Sequence, residues 1–226
     1  MTAPQGPSPA SRAYAKLDFA LERFAIDVTG RRCADLGCHV GGFTDCLLRR
    51  GAISVVSVDT GYGILDWRLR SDPRVEVRER TNALHAEPPP DRVDFVSIDL
   101  GWTPQRLALP AARRWVSELG EVITLVKPHY ELEGEAKSRL EAGRLDDEAA
   151  QEVLAALLPR MPRWGFDVLG HAESPIRGGK SGKGRAGAGN LEFLVHLRPV
   201  KPSGDPPASL RREPPNSTDA TPPTRS

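Results

Sequence analysis

The chain has 226 residues, 39% of them hydrophobic and 27% charged, with a formal net charge of +1. This is enough chain for one sizeable core and carries the composition of an ordinary globular protein. The near-neutral charge excludes a whole-surface electrostatic grip on nucleic acid, so any such binding must come from a local basic patch. No apolar run approaches the roughly 20 residues that span a bilayer. Met1 to Ala10 is Pro-rich and lacks the apolar stretch of a secretory signal. A cytoplasmic protein with no membrane partner is therefore expected.

The elements follow in chain order. Residues 1–10 are expected to be disordered. Ser11 is placed to start a helix in which Tyr14, Leu17, Leu21 and Phe24 recur at helical spacing. Cys33 to Gly37 reads as a short buried strand, Phe43 to Arg50 as a helix, and Ile53 to Asp59 as a β-branched strand ending on an acid. Val75 to Val77 is a weaker strand and Val93 to Asp99 a strong one. Pro104 to Leu119 is predicted helical, with Pro104 suited to a first turn. Glu121 to Val126 is a strand, Asp146 to Met161 an amphipathic helix, and Phe166 to His171 and Leu191 to Leu197 the last strands. From residue 199 the tail carries Pro202, Pro206, Pro207, Pro214, Pro215, Pro222 and Pro223 among polar residues. It has too little apolar surface to offset ordering entropy. One domain over residues 11–198 is expected.

Strands alternating with helices imply an α/β, doubly wound, mostly parallel sheet, here with seven strands. The last two strands lack an intervening helix, so they are expected to form an antiparallel hairpin. Cys33, Cys38 and Cys46 show no Cys-x-x-Cys spacing, and they read as buried small hydrophobes rather than metal ligands. No metal site is assigned, although His39 lies close by.

Ala34 to Phe43 follows the first strand and opens a helix. Gly37, Gly41 and Gly42 let the backbone turn sharply and approach a ligand, and ligands of open α/β sheets bind beyond the carboxyl ends of the strands. Asp59 ends the next strand, where an acid can accept hydrogen bonds from ribose hydroxyls. Asp35-x-Gly37-x-x-x-Gly41 departs from the spacing of a dinucleotide fingerprint. An acid and backbone donors suit the methionine part of S-adenosylmethionine, with Asp35 and the loop as candidates. A nucleotide dehydrogenase using NAD is the rival on this segment alone.

Four further residues stand in local motifs at strand ends or at a helix start: Lys16 in Ser11-Arg12-Ala13-Tyr14-Ala15-Lys16, Asp99 in Ser97-Ile98-Asp99-Leu100, Lys127 in Leu125-Val126-Lys127-Pro128, and Glu192 in Gly189-Asn190-Leu191-Glu192-Phe193. Asp94 flanks the same strand as Asp99, but Asp99 is at its carboxyl end. Together with Gly41 to Leu48, Asp59 to Arg70, Glu79-Arg80-Thr81-Asn82-Ala83, Val126 to Glu131 and Ser174-Pro175-Ile176-Arg177, these motifs make residues 11–198 resemble the TlyA-type haemolysin/rRNA methyltransferases of the FtsJ-like group. The run Gly61 to Arg70 with Arg80-Thr81-Asn82 is the most specific part.

The resemblance implies a Rossmann-like methyltransferase sheet and S-adenosylmethionine-dependent 2′-O-methylation of RNA, most often rRNA. It implies Lys16, Asp99, Lys127 and Glu192 as catalytic residues. Lys127 would contact the 2′-oxygen, either accepting its proton or orienting its lone pair, Asp99 would position Lys127 and face the methyl donor, and Lys16 and Glu192 would hold the ribose and the pair. Asp35, Gly37, Gly41, Gly42, Phe43, Asp59, Asn82 and Asp99 are the implied cofactor residues. The partner implied is rRNA or a ribosomal subunit. Family members usually carry a small N-terminal RNA-binding domain, whereas this chain begins almost directly at the catalytic part, so a separate RNA-targeting partner is a further expectation. Arg12, Arg177, Lys180, Lys183 and Arg185 are phosphate candidates, the last four in or beside a Gly-rich loop. Arg68 and Arg70 are others, with Asp66 or Asp72 as alternative structural partners for Arg68. His129 and Tyr130 could touch a substrate base or pack structurally. Two other readings stay open: methylation of a small molecule, and a non-catalytic RNA- or ribosome-binding protein that keeps the fold.

Overall fold

The strong strand expected over Val93 to Asp99 forms over Val93–Ile98 and lies at the centre of the sheet. The computed structural model describes residues 8–179 and 189–200. Of the tail expected to be disordered from residue 199, Pro199 instead closes the last strand and the Val200 N–H donates to the Gly165 carbonyl at 2.9 Å, while residues 201–226, residues 1–7 of the N-terminal stretch, and Lys180, Lys183 and Arg185 lie outside the described residues. In chain order the elements are α1 (Tyr14–Arg23), β1 (Arg32–Leu36), α2 (Gly42–Arg49), β2 (Ser54–Val58), α3 (Trp67–Arg70), β3 (Val75–Arg78), β4 (Val93–Ile98), α4 (Gln105–Trp115), β5 (Val116–Val126), α5 (Pro128–Glu131), a 3₁₀ helix (Gly134–Arg139), α6 (Asp147–Leu157), a second 3₁₀ helix (Leu158–Trp164), β6 (Phe166–Glu173) and β7 (Phe193–Pro199).

The sheet has seven strands in the order β3-β2-β1-β4-β5-β7-β6. The first five are parallel, and β7 pairs antiparallel with both β5 and β6. The terminal hairpin expected from the missing helix is present, with the last strand inserted inside the edge strand. Both faces of the sheet are covered, as a parallel sheet requires. Along β4, Val96 and Ile98 pack into the cluster that contains Trp115, Met161 and Phe166. Phe95 faces the other way, toward Leu17, Leu21, Phe43 and Leu47 of α1 and α2. The three cysteines are buried and unpaired, consistent with small core hydrophobes.

Three boundaries differ from expectation. The helix begun at Gln105 ends at Trp115, not Leu119, because Val116 turns extended and pairs with Val93. The register between β4 and β5 then shifts, Phe95 lying opposite Glu121, and Leu119 is 92% exposed. The apolar Leu119 imitates helical periodicity but contributes nothing to the core. The helix from residue 147 loosens into 3₁₀ geometry after Leu157, where Pro159 and Pro162 cannot donate. Residues 8–10, expected to be disordered, are tied to α2 and its neighbourhood. The Ala10 N–H donates to Asp45 at 2.9 Å, and Arg49 and Arg68 donate to the Ser8 carbonyl.

The strand order reverses between β1 and β4. Their carboxyl-end loops, which follow Leu36 and Ile98, therefore diverge and leave a crevice. Among the described residues no helix is long and apolar enough to cross a membrane.

Candidate active site

The crevice is made by two glycine positions and one acid. Gly37 follows β1 with φ +93°, and a Cβ there would stand 2.6 Å from the Asp99 carbonyl oxygen. Only a residue without a Cβ permits that approach of the two loops. Gly41, with φ +99°, is the left-handed entry to α2. Asp59, just past β2, accepts from the His39 N–H at 2.9 Å and the Gly61 N–H at 2.7 Å. This fixes the turn while keeping the carboxylate on the cavity wall. The cavity so formed is about 620 Å³ and is also walled by Gly42, Phe43, Thr81, Asn82, Leu100 and Asp99.

A second cavity of about 1080 Å³ adjoins it, and both are walled by Ser11, Ala13, His39, Val40, Asp99, Trp102 and Lys127. At that boundary Lys127, which follows β5, lies 2.6 Å from Asp99 Oδ1 and donates to the Leu100 carbonyl at 3.2 Å. Its ammonium also lies 5.9 Å from the Tyr130 ring centre. Lys16 of α1 and Glu192, just before β7, form a 2.5 Å ion pair on the wall of the larger cavity. Their side chains are only 7% and 4% exposed. Four residues scattered over 176 positions are thus two ion pairs beside one opening.

The environment around them is tuned by burial. His129 is pushed down to about 4 by burial and by the charge of Lys127, so its imidazole is neutral near pH 7. Asp35 is pushed up to about 7, burial outweighing its bonds from Thr44 at 2.7 Å and Ser97 at 3.2 Å.

The sequence pattern of the FtsJ-like methyltransferase family fits residues 9–183. The chain belongs to the FtsJ-like methyltransferase family. Among relatives of this FtsJ-like chain is the 16S/23S rRNA (cytidine-2′-O)-methyltransferase TlyA of Mycobacterium tuberculosis, 41% identical over 192 residues, or 83% of this chain and 68% of that protein. Hemolysin A of Brachyspira hyodysenteriae is 33% identical over 83% of this chain and 75% of its own. A solved structure named as a hemolysin, from Streptococcus thermophilus, superposes with a TM-score of 0.77 at 34% identity, covering 88% of this chain and 70% of that one. An S-adenosylmethionine-dependent methyltransferase from Listeria monocytogenes, 14% identical with a TM-score of 0.56, shares the fold.

The structure places Lys16, Asp99, Lys127 and Glu192 together, and Gly37, Gly42, Phe43, Asp59 and Asn82 on the smaller cavity. Asn82 also uses its side-chain oxygen to accept from the Leu84 N–H, so it shapes the turn as well as the wall. Gly41 acts behind the wall, its Cα facing Leu65 and Leu69. Asp35 is not on the wall. It is fully buried beneath the glycine loop, bonded to Thr44 and Ser97, so it supports the loop rather than touching a ligand. Asp94 is at the opposite end of β4, accepting from the Arg32 N–H. Arg12 lines the larger cavity and donates to the Gly179 carbonyl. Arg177 stands outside that cavity in a two-pronged pair with Asp147 of α6. Arg68 is paired with Asp66, and Asp72 with Arg74.

Trp102 escaped the sequence reading. It is 85% exposed, has φ +51°, and stands at the shared rim with its ring 6.1 Å from that of Tyr130. An apolar aromatic three residues after Asp99 with no periodic partners was its one available signal. Gly178 belongs to the Gly-rich loop of the sequence, where no local pattern singles it out. A Cβ there would collide with the Glu192 carboxylate, so this glycine makes room for the ion pair.

Proposed function

We propose that this chain is an S-adenosylmethionine-dependent methyltransferase acting on a ribose 2′-hydroxyl of rRNA. The observation that carries the reading is the 2.6 Å Lys127–Asp99 pair at the opening shared by the two cavities. The smaller cavity suits the cofactor. Its glycine floor brings backbone close to a ligand, and Asp59 presents a carboxylate where ribose hydroxyls would be recognised. The residues that would hold it are Gly37, Gly42, Phe43, Asp59, Asn82 and Asp99. When bound, S-adenosylmethionine supplies a methyl group activated by its sulfonium charge. The larger cavity, open and walled by Arg12, Lys16, Trp102 and Tyr130, suits an extended anionic substrate better than a small apolar one.

A ribose hydroxyl is a poor nucleophile and must be both aligned and relieved of its proton. An ammonium has three donors. Two of those on Lys127 are directed at Asp99 and Leu100, and the third is the one a substrate oxygen would use. Lys127 then orients the hydroxyl, and its charge stabilises the negative character that builds as the O–H bond breaks, the proton passing to water in the open cavity while the oxygen takes the methyl group from the sulfonium. Asp99 fixes the ammonium at the cofactor side. Lys16 and Glu192 hold the ribose from the other wall.

The test is methyl transfer from labelled S-adenosylmethionine to purified ribosomal subunits and to naked rRNA, followed by nucleoside analysis. Wild type should yield a 2′-O-methylated nucleoside. Lys127→Ala should lose at least about 100-fold in turnover while its cofactor affinity stays within about threefold. A Lys127→Ala protein with wild-type turnover would remove Lys127 from the chemistry. A wild type that binds cofactor yet methylates no RNA would redirect the assignment to a small-molecule acceptor.

A further inference from the structure

Lys127 is bracketed by a closed set of hydrogen bonds that does not include it. Three residues before it, Thr124 of β5 donates its hydroxyl to the Gln105 side-chain oxygen at 2.8 Å. Four residues after it, Glu131 accepts the Gln105 backbone N–H at 2.9 Å. Thr124 is fully buried and Gln105 is 3% exposed. Gln105 is the first residue of α4, whose N-cap position is Pro104 and has no side chain able to cap. The helix therefore takes its capping acceptor from α5, a segment 26 residues away in sequence.

The consequence reaches the site through a short span. Only five residues separate Ile98 at the end of β4 from Pro104 at the mouth of α4, and they include Asp99, the Leu100 carbonyl and Trp102. One end of this loop is anchored by the Asp99 N–H donating to the Leu36 carbonyl at 3.0 Å. The other end is anchored by Glu131. The same α5 backbone carries Lys127 at its N-cap position. Glu131 thus ties the lysine's own segment to the loop that supplies both of its partners.

Resting on the methyltransferase reading above, we infer that Glu131 is a positioning residue that fixes Lys127 against Asp99 and Leu100 through the α4 cap. Glu131 touches neither cavity described above. It borders a separate space of about 160 Å³ with Arg106, Glu133, Arg160 and Trp164. Arg106 is engaged with Glu133 at 2.7 Å, and Arg160 lies 5.4 Å from the Trp164 ring. Burial pushes Glu131 up to about 7, against the lowering effect of the Gln105 N–H and of Arg160 and Arg106, with Glu133 adding to the rise. An ionised carboxylate is the better cap for a helix N-terminus. Lys127 should therefore be held more firmly as pH rises through about 7.

The test compares Glu131→Ala with Glu131→Gln, which keeps the acceptor oxygen and removes the titration. Glu131→Ala should lower kcat about 10- to 100-fold, the scale of a small misplacement near the reacting atoms. Its S-adenosylmethionine affinity should stay within about twofold. Below pH 7, where Glu131 is itself protonated, Glu131→Gln should keep a kcat close to that of wild type, and its pH profile should lack the inflection near neutrality. In the protein without ligands, below pH 7 where Glu131 is protonated, the Lys127 ¹³Cε NMR signal should move in Glu131→Ala and stay in place in Glu131→Gln. This signal is independent of turnover. A shifted signal with no RNA methylation by wild type would uphold the clamp and sink the functional reading. An unshifted signal in Glu131→Ala overturns the clamp whatever the activity, as does equal loss of kcat, cofactor affinity and melting temperature in both variants.

Discussion

Lys16 and Glu192 are paired where their side chains are only 7% and 4% exposed. Each is tolerable only because of the other. Removing one partner leaves a buried charge without compensation, which costs about 3–5 kcal/mol, whereas replacing both with apolar residues of similar size is often neutral. Lys16→Met and Glu192→Met should therefore each destabilise the fold by about that much, and the double variant should regain most of it without regaining methyl transfer. Urea unfolding with turnover on the same four proteins checks this. A double variant that methylates at the wild-type rate would make the pair a structural device alone. The four charged residues were legible in the sequence because each sits in a local motif at an element's end. Asp35 was misjudged for the opposite reason. Its motif position says that it is near the glycine loop, but only packing against Thr44 and Ser97 decides that it lies under the loop and off the wall. Trp102 and the role of Gly178 likewise depend on tertiary neighbours that no local pattern encodes.

At the scale of elements, the site depends on how closely two loops can approach. Gly37 has φ +93° and the Asp99 carbonyl 2.6 Å from where a Cβ would lie. Gly30 has φ +73° and nothing within 4 Å of that point. Alanine at either position meets the cost of left-handed backbone, about 1–2 kcal/mol. Only Gly37→Ala must also push the Asp99 loop away. Cofactor affinity by calorimetry should fall by about tenfold or more in Gly37→Ala and be nearly unchanged in Gly30→Ala. Equal affinities in the two would mean that the approach of the loops is not what shapes the smaller cavity. Sequence periodicity found all seven strands because strands in a doubly covered sheet are short apolar runs bounded by turns. It misplaced the α4–β5 junction because Trp115 and Val116 are both fully buried, one as the last helical residue and the other as the first strand residue. An apolar pair reads the same in either conformation.

The whole molecule responds to pH through a few buried or paired groups whose contributions have different signs. Glu121 on β5 is held down to about 2, first by the hydrogen bond from His196 and also by Arg31. A carboxyl with a depressed folded value stabilises the fold above its unfolded value and loses that contribution as pH falls from about 4.5 to about 2. Asp66, Asp72 and Asp147, each paired with an arginine, act in the same direction on this acid limb. Asp35 and Glu131 do the reverse. Burial raises both to about 7, so between their unfolded values and pH 7 the unfolded chain has released protons that the folded chain keeps. Stability falls with rising pH across that window. His129, lowered to about 4 from 6.5, opposes them, adding stability as pH rises between those values. Between pH 4.5 and 6.5 these three groups amount to two falling contributions against one rising. Wild type should therefore be most stable near pH 4.5 and weaken toward neutrality. Asp35→Asn keeps hydrogen-bonding atoms for Thr44 and Ser97 and removes one falling contribution, leaving Glu131 and His129 to offset each other. Urea unfolding at intervals from pH 3 to 7 should show a sloping profile for wild type, a nearly flat one above pH 4.5 for Asp35→Asn, and a weakened acid limb for Glu121→Gln. A wild-type profile that rises steadily to pH 7 would mean that Asp35 is ionised in the folded protein. The hydroxyls of Thr44 and Ser97 would then outweigh its burial, and the glycine loop would rest on a charge.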